Sequence, residues 1–372
     1  MGKLLKASFT FTGTIIGAGI LGLPYIISKP GFFLGLLAII LIGTIVLLIS
    51  LMLGEICLRT KEDHQIPGLV EKYIGKKTKY LVTFFSMASM YGALLAYVEG
   101  SGKLISNFLG IEIIIAKLIF FIPFATIIYF GIKGVEESET ILTLFVIVSI
   151  LILSFASLLY FNPKNLISIR LEEFFTPFGI IVFAFSGIFA IPQMKEILRF
   201  EKYKLRESIL FGFLVPLIIY ILFTFSTIAA FGNNIGEIAT ISLARYGIFF
   251  LLFGNIFAFF AMATCFISLG NALREIYLED FKIDNNLSFL FAVLPPLLSL
   301  FGFATFTQIL SMTGSLFIIP LMLIIIYLYY KTKKIYERRP EYELKIPNFI
   351  ILLISIFLLF VAILTCLQIL LF

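Results

Sequence analysis

Long apolar stretches separated by short clusters of charge set the rhythm of this chain. A hydrocarbon layer about 30 Å thick needs about 20 residues of helix to cross it. Eleven stretches read as such crossings: Ser8–Ile27, Gly31–Cys57, Tyr80–Phe108, Ile113–Ile132, Thr140–Phe161, Phe174–Met194, Ser208–Phe231, Ile241–Leu278, Leu287–Gly302, Phe306–Tyr330 and Phe349–Phe372. The ninth is short, which tilt or burial by its neighbours accommodates. The pattern predicts an all-α integral membrane protein whose loops leave no room for a second soluble domain. The longest polar insertions, Leu58–Lys79 and Lys331–Asn348, each have the length for one interfacial helix. In the first, Gly68–Ile74 is amphipathic and follows Pro67, a favourable helix start.

Composition agrees, since 60% of residues are hydrophobic and 13% charged, where soluble domains carry about 25% charged residues. Lys and Arg concentrate in alternate loops. With the N-terminus inside, 22 of the 28 basic residues fall on the cytoplasmic side, which predicts an inner or plasma membrane protein with N-terminus in and C-terminus out. The net charge of +6 then reflects topology and attraction to anionic lipid. No basic stripe interleaved with aromatics points to nucleic acid. The first stretch has full crossing length and no small-residue cleavage pattern, so it reads as a span rather than a signal peptide.

Chemistry within the bilayer is sparse. Cys57, Cys265 and Cys366 lie in separate stretches without metal-type spacing, and His64 sits in a charged loop, so neither a cofactor nor a zinc site is expected. An enzyme would need nucleophiles, bases or metal ligands grouped in the spans, and a channel would show a repeated filter or rings of like charge. Neither pattern is present.

An internal repeat is the most informative feature. Gly19-Ile20-Leu21-Gly22-Leu23-Pro24 in the first stretch has the same form as Gly187-Ile188-Phe189-Ala190-Ile191-Pro192 in the sixth. Glycine followed by proline loosens a helix at two points about a turn apart. The second copy lies five crossings on from the first, so they traverse the membrane in opposite senses, as in an inverted repeat of five plus five (residues 8–161 and 174–330) with an eleventh helix (349–372) added. Small residues along a span also serve close helix packing; their recurrence at corresponding places favours unwound segments. Where a helix unwinds in hydrocarbon, backbone N–H and C=O groups lose their partners, and a polar ligand supplies them. Half-helix N-termini suit a carboxylate and exposed carbonyls an ammonium group, so a zwitterion meets both needs.

Here the chain resembles the amino acid/auxin permease family of the amino acid, polyamine and organocation transporter superfamily, nearest its aromatic and hydroxy amino acid permease branch. The residues that carry the likeness are Thr12–Pro24 followed by Gly31-Phe32, Tyr91–Gly100, Phe183–Gly187, and Ala263–Phe266. The resemblance implies a leucine-transporter-type fold with discontinuous first and sixth helices, and an amino acid importer driven by cation symport through alternating access. It places the substrate carboxylate against the backbone of Ile15, Gly17, Ala18 and Gly19. The amine would meet carbonyls near Thr14, Phe183, Ala184 and Phe185, beside Ser186. Tyr91, Phe189 and Phe266 become candidate pocket walls, which suit an aromatic or apolar side chain, although with 44 Phe in the chain packing is the commoner role for any one.

The family's cation position would be formed by carbonyls of Gly13, Ile16 and Ala261 with the side chains of Thr264 and Cys265. Hard cations prefer oxygen, so the thiol at 265 favours proton over sodium coupling. Glu99, a carboxylate inside a span, is the candidate proton carrier; pairing with Lys103 one turn on is the other reading. A transporter-like sensor or an obligate exchanger would keep the same motifs, and flux separates them from an importer.

Overall fold

The computed structural model describes residues 2–130 and 135–370, and these are helical with no strand among them. Lys133, one of the basic residues counted on the cytoplasmic side, lies outside the described residues, as do the last two residues of the eleventh stretch. The helices are α1 Lys3–Ile15, α2 Gly19–Ser28, α3 Phe32–Arg59, α4 Ile66–Tyr73, α5 Lys76–Leu109, α6 Ile113–Phe130, α7 Val135–Ser157, α8 Phe178–Ala184, α9 Ala190–Ile197 and α10 Leu205–Phe231. After them come α11 Ala239–Leu243, α12 Asn255–Glu275, α13 Asn285–Val293, α14 Phe306–Met312, α15 Ile319–Lys334 and α16 Asn348–Leu370.

Among the described residues eight helical segments are long and apolar enough to cross a membrane, and a ninth results if α1 and α2, bent by 57°, count as one. Of the remaining expected crossings, 174–194 consists of the short helices α8 and α9, and 287–302 of α13 continued by the tight helix Pro295–Phe301. The eighth crossing begins later than the apolar pattern suggests, at Phe250 rather than Ile241. Gly247, at φ +127°, turns the chain between α11 and the long helix, a conformation open mainly to glycine.

The short helices α1, α2, α8 and α9 form the centre. Around them stand α3, α5, α10 and α14, with α1 packed chiefly on α10 and α9, and α8 on α2, α3 and α14. Glycines make this density possible: the ring of Phe11 fills space where a Cβ on Gly212 or Gly187 would stand 3.1 and 2.7 Å from it. By contrast α16 is apolar on all sides and mostly turned outward, as expected of a helix solvated by lipid.

At the end of the bundle holding α4, the two long insertions interlock. The first does carry the interfacial helix, α4, with Pro67 in its first turn. The second carries none; residues 335–347 run back along α3 instead. A buried carboxylate, Glu55, draws them there: it accepts from Arg59 Nε (2.9 Å) on its own helix and from the Leu344 N–H (2.7 Å). Tyr342 donates to Leu51 O (2.6 Å). Glu337 pairs with Lys72 (2.6 Å) and accepts from the Lys61 N–H (2.8 Å), and these contacts hold its carboxyl below the usual range. Lys195 of α9 reaches Asp63 (2.7 Å) and Glu62 O (2.8 Å), which binds one central helix to the same cluster.

Candidate functional site

Two interruptions face each other at the centre. In the first, α1 ends at Ile15, Ile16 leaves helical geometry with φ −78° and ψ 85°, and α2 starts at Gly19. Gly17 N–H turns back to Ile15 O (2.9 Å), leaving the N–H groups of Ala18 and Gly19 without a backbone acceptor. In the second, α8 ends at Ala184, Ser186 and Gly187 N–H turn back to Phe183 O (3.1 Å) and Phe185 O (2.9 Å), and α9 starts at Ala190. Ile188 and Phe189 are left in the same condition as Ala18 and Gly19. Each break thus exposes donors at the start of the helix that follows it.

The two breaks touch: a Cβ on Gly19 would stand 3.1 Å from Ala184 Cα. Beside that contact lies a cavity of about 100 Å³, space for about three waters. Thr14, Ile15, Gly17 and Gly19 line it from the first break, and Phe183, Ala184, Ser186 and Phe189 from the second. The Ser186 hydroxyl has no hydrogen-bond partner among the described residues. Four further candidates stand elsewhere. Ala18 is buried behind the cavity. Phe185 stacks on Phe213 with ring centroids 5.0 Å apart, and Phe266 packs among Phe120 and Phe121. Tyr91 points away from the breaks, its hydroxyl 2.8 Å from that of Tyr277 and from Phe291 O.

The cation candidates meet only in part. Cys265 Sγ comes within 3.4 Å of a Cβ position on Gly17 and is hydrogen-bonded to Tyr97. Thr264 donates its hydroxyl proton along its own helix, to Phe260 O (2.9 Å) and Ala261 O (3.2 Å). Gly13 faces Thr143 of α7. Ile16 and Ala261 are buried.

Glu99 belongs to a chain of charges on the far side of the cavity from α4. It pairs with Lys117 of α6 (2.5 Å) and lies 3.5 Å from Lys103. Lys103 pairs with Glu237 (2.6 Å), which accepts from the Thr307 hydroxyl of α14 (3.0 Å). Lys117, 2% exposed, also donates to Ser299 O (2.6 Å). Both expected roles remain geometrically open to Glu99, and the pairing with Lys103 gains a stronger partner in Lys117.

With this geometry in view, residues 1–365 match the tryptophan/tyrosine permease family. The chain belongs to that family. The permease is 25% identical to tyrosine-specific transport system 1 of Haemophilus influenzae, over 91% of each chain. It is 24% identical to glutamine transporter 2 of Aliivibrio fischeri over 84% of each. Its fold is that of MhsT, solved in complex with L-phenylalanine: TM-score 0.67, 16% identity, 98% of both chains covered. It is therefore a multi-pass membrane protein of an amino acid transporter family.

Several residues of the permease's cavity escaped the sequence reading. Ser89, Met90, Ala93 and Tyr97 of α5, Leu269 of α12 and Ile318 at the foot of α15 complete the walls. The α5 residues lie at helical spacing beside Tyr91; that spacing could have indicated Tyr97, but choosing the inward face needed the packing. Tyr220 of α10 was missed entirely. It is fully buried, and its hydroxyl stands 2.7 Å from Ile15 O and 3.0 Å from Ala184 O.

Proposed function

We propose that this permease imports an amino acid with an aromatic or other apolar side chain by cation-coupled symport, with the proton as the coupling ion. The reading treats residues 3–28 and 178–197 as two discontinuous crossings in an eleven-helix, five-plus-five inverted repeat. They hold the substrate between them and move by alternating access, with the N-terminus in the cytoplasm. The observation that carries it is the cavity bounded by both breaks, lined by Gly19 and Phe189, whose backbone N–H groups have no backbone acceptor among the described residues. A carboxylate suits those donors; aromatic Tyr97, Phe183 and Phe189 suit the side chain. At about 100 Å³ the cavity is smaller than the about 300–1,000 Å³ of a typical ligand site, so binding a ring requires the wall to open.

Proton coupling is favoured because the cation position has a thiol at Cys265, where a hard cation prefers oxygen. Protonating Glu99 would leave Lys117 buried without its counter-charge, which is costly, so proton uptake at Glu99 goes with opening of the outer charge chain. The test is uptake of labelled tyrosine, tryptophan, phenylalanine and glutamine by proteoliposomes under an imposed pH gradient, an imposed Na⁺ gradient, or neither. Concentrative uptake driven by the pH gradient is expected. Accumulation only with sodium would reverse the coupling assignment. Binding without accumulation under any gradient would replace the importer with a sensor or an obligate exchanger.

A further inference from the structure

Two backbone carbonyls from different helix breaks converge on one point in the interior. Ile15 O, at the end of α1, and Ala184 O, at the end of α8, both lie within 3.0 Å of the Tyr220 hydroxyl. Both carry the partial negative charge of a helix C-terminus, so they repel unless something positive stands between them. In a buried site that is a cation or a hydrogen-bond donor. Here it is one phenolic proton. Tyr220 is fully buried and its ring packs on Phe185 with centroids 5.0 Å apart. The ring is anchored in α10, which also accepts from Thr12 through Gly212 O (3.0 Å). One hydroxyl carries one proton, so it serves the nearer carbonyl, Ile15 O, fully and Ala184 O at most in part.

We propose that Tyr220 is a positioning residue for substrate binding: its hydroxyl clamps both helix breaks to α10, setting the separation at which their free donors receive one ligand. The inference rests on the transporter reading, but its structural half does not. The Tyr220 O–H can turn its hydrogen bond from one carbonyl to the other as the breaks shift, holding each in turn without an ion.

The test compares Tyr220→Phe with Phe213→Leu. The first removes the hydroxyl and keeps the ring; the second removes a buried ring that stacks on Phe185 and touches neither carbonyl. Binding of labelled phenylalanine to the purified chain and hydrogen exchange at amides 16–20 and 186–191 are measured for each. Tyr220→Phe takes the phenolic donor from both buried carbonyls, leaving Ile15 O with the Gly17 N–H alone, and is expected to weaken binding about tenfold and to speed exchange at both breaks. Phe213→Leu is expected to lower the thermal midpoint with binding unchanged. Unchanged binding in Tyr220→Phe, faster exchange at one break only, or equal loss in both variants overturns the clamp. If wild type binds none of the probe amino acids, the transporter reading has failed, and exchange at the two breaks alone decides the clamp. If Tyr220→Phe does not fold, 3,5-difluorotyrosine at 220, a stronger donor of nearly the same shape, is expected to slow exchange at both breaks; no change there would also overturn it.

Discussion

Gly19 offers the sharpest test of whether close approach of the two breaks matters. A methyl group there would lie 3.1 Å from Ala184 Cα, 3.2 Å from its Cβ and 3.3 Å from Phe183 Cδ1. Carbon atoms in favourable contact sit about 3.5–4.0 Å apart, so the breaks must separate by about half an ångström. Two of the three atoms belong to the residue ending α8, and cannot move away as a flexible side chain would. Overpacking of this kind costs about 1–3 kcal/mol, which at about 1.4 kcal/mol per decade is about 5- to 140-fold in an equilibrium constant. Gly22, one turn along the same helix, is the control: a Cβ there meets Thr307, Phe306 and Ile180 at 3.4–3.6 Å, ordinary contact distances. Both variants gain some helix propensity over glycine, so the difference between them isolates the clash. Binding of labelled phenylalanine and the thermal midpoint in detergent would be followed together. Gly19→Ala should lose binding, stability or both within that range, while Gly22→Ala stays near wild type. The reasoning is refuted if Gly19→Ala matches wild type in both measurements, or if Gly22→Ala loses as much.

Other expectations follow from the charge clusters and the cavity wall. Lys117→Met should destabilise the fold by about 3–5 kcal/mol, because it leaves Glu99 buried with only a 3.5 Å contact to Lys103; adding Glu99→Gln should recover most of the lost thermal midpoint, and an unchanged single variant would refute the pairing. The double variant Lys117→Met/Glu99→Gln, which removes both buried charges, should abolish the response to a pH gradient while leaving counterflow exchange; a retained response would remove Glu99 from coupling. The folded-state carboxyl of Glu337 titrates below its unfolded value, so its hold on Lys72 and the Lys61 N–H is present above the ordinary carboxylate range and lost as pH falls through the depressed value. Glu337→Gln should therefore raise hydrogen exchange in residues 335–341 at neutral pH, as acid does in wild type. Gly17→Val should abolish substrate binding, and retained uptake would show that this backbone is not a ligand.

The sequence pattern conveyed the long helices for one reason: they are written in local composition. Crossing α5 needs only a run of apolar residues, whereas the first interruption falls at residues 16–18, ahead of the Gly19-to-Pro24 segment, which is itself helical. The eighth span was misjudged at its start because Ile241 to Phe250 is apolar enough to be continuous, and only Gly247's backbone shows the turn. Tyr97 and Tyr220 were illegible for another reason. Each is a tyrosine in an apolar helix among 16 tyrosines, and its importance depends on carbonyls and thiols about 30 to 200 positions away. Phe266 shows the converse: the motif located its segment, but its ring packs among Phe120 and Phe121.

Among the described residues, the only side-chain hydrogen bond from α16 into the rest of the bundle runs from Thr365 to Ser315, at 2.9 Å. Its other holds are apolar: Phe357 and Phe360 pack on Phe178 and Phe175 at the start of α8, and Leu358 and Val361 are buried. Its sequence can drift with lipid composition, and a reporter or affinity handle joined through it would leave the path of the cargo untouched. The chain thus has a centre where single methyl groups matter and a flank whose outward face, Leu352, Ile356 and Ile363 among it, answers to lipid alone.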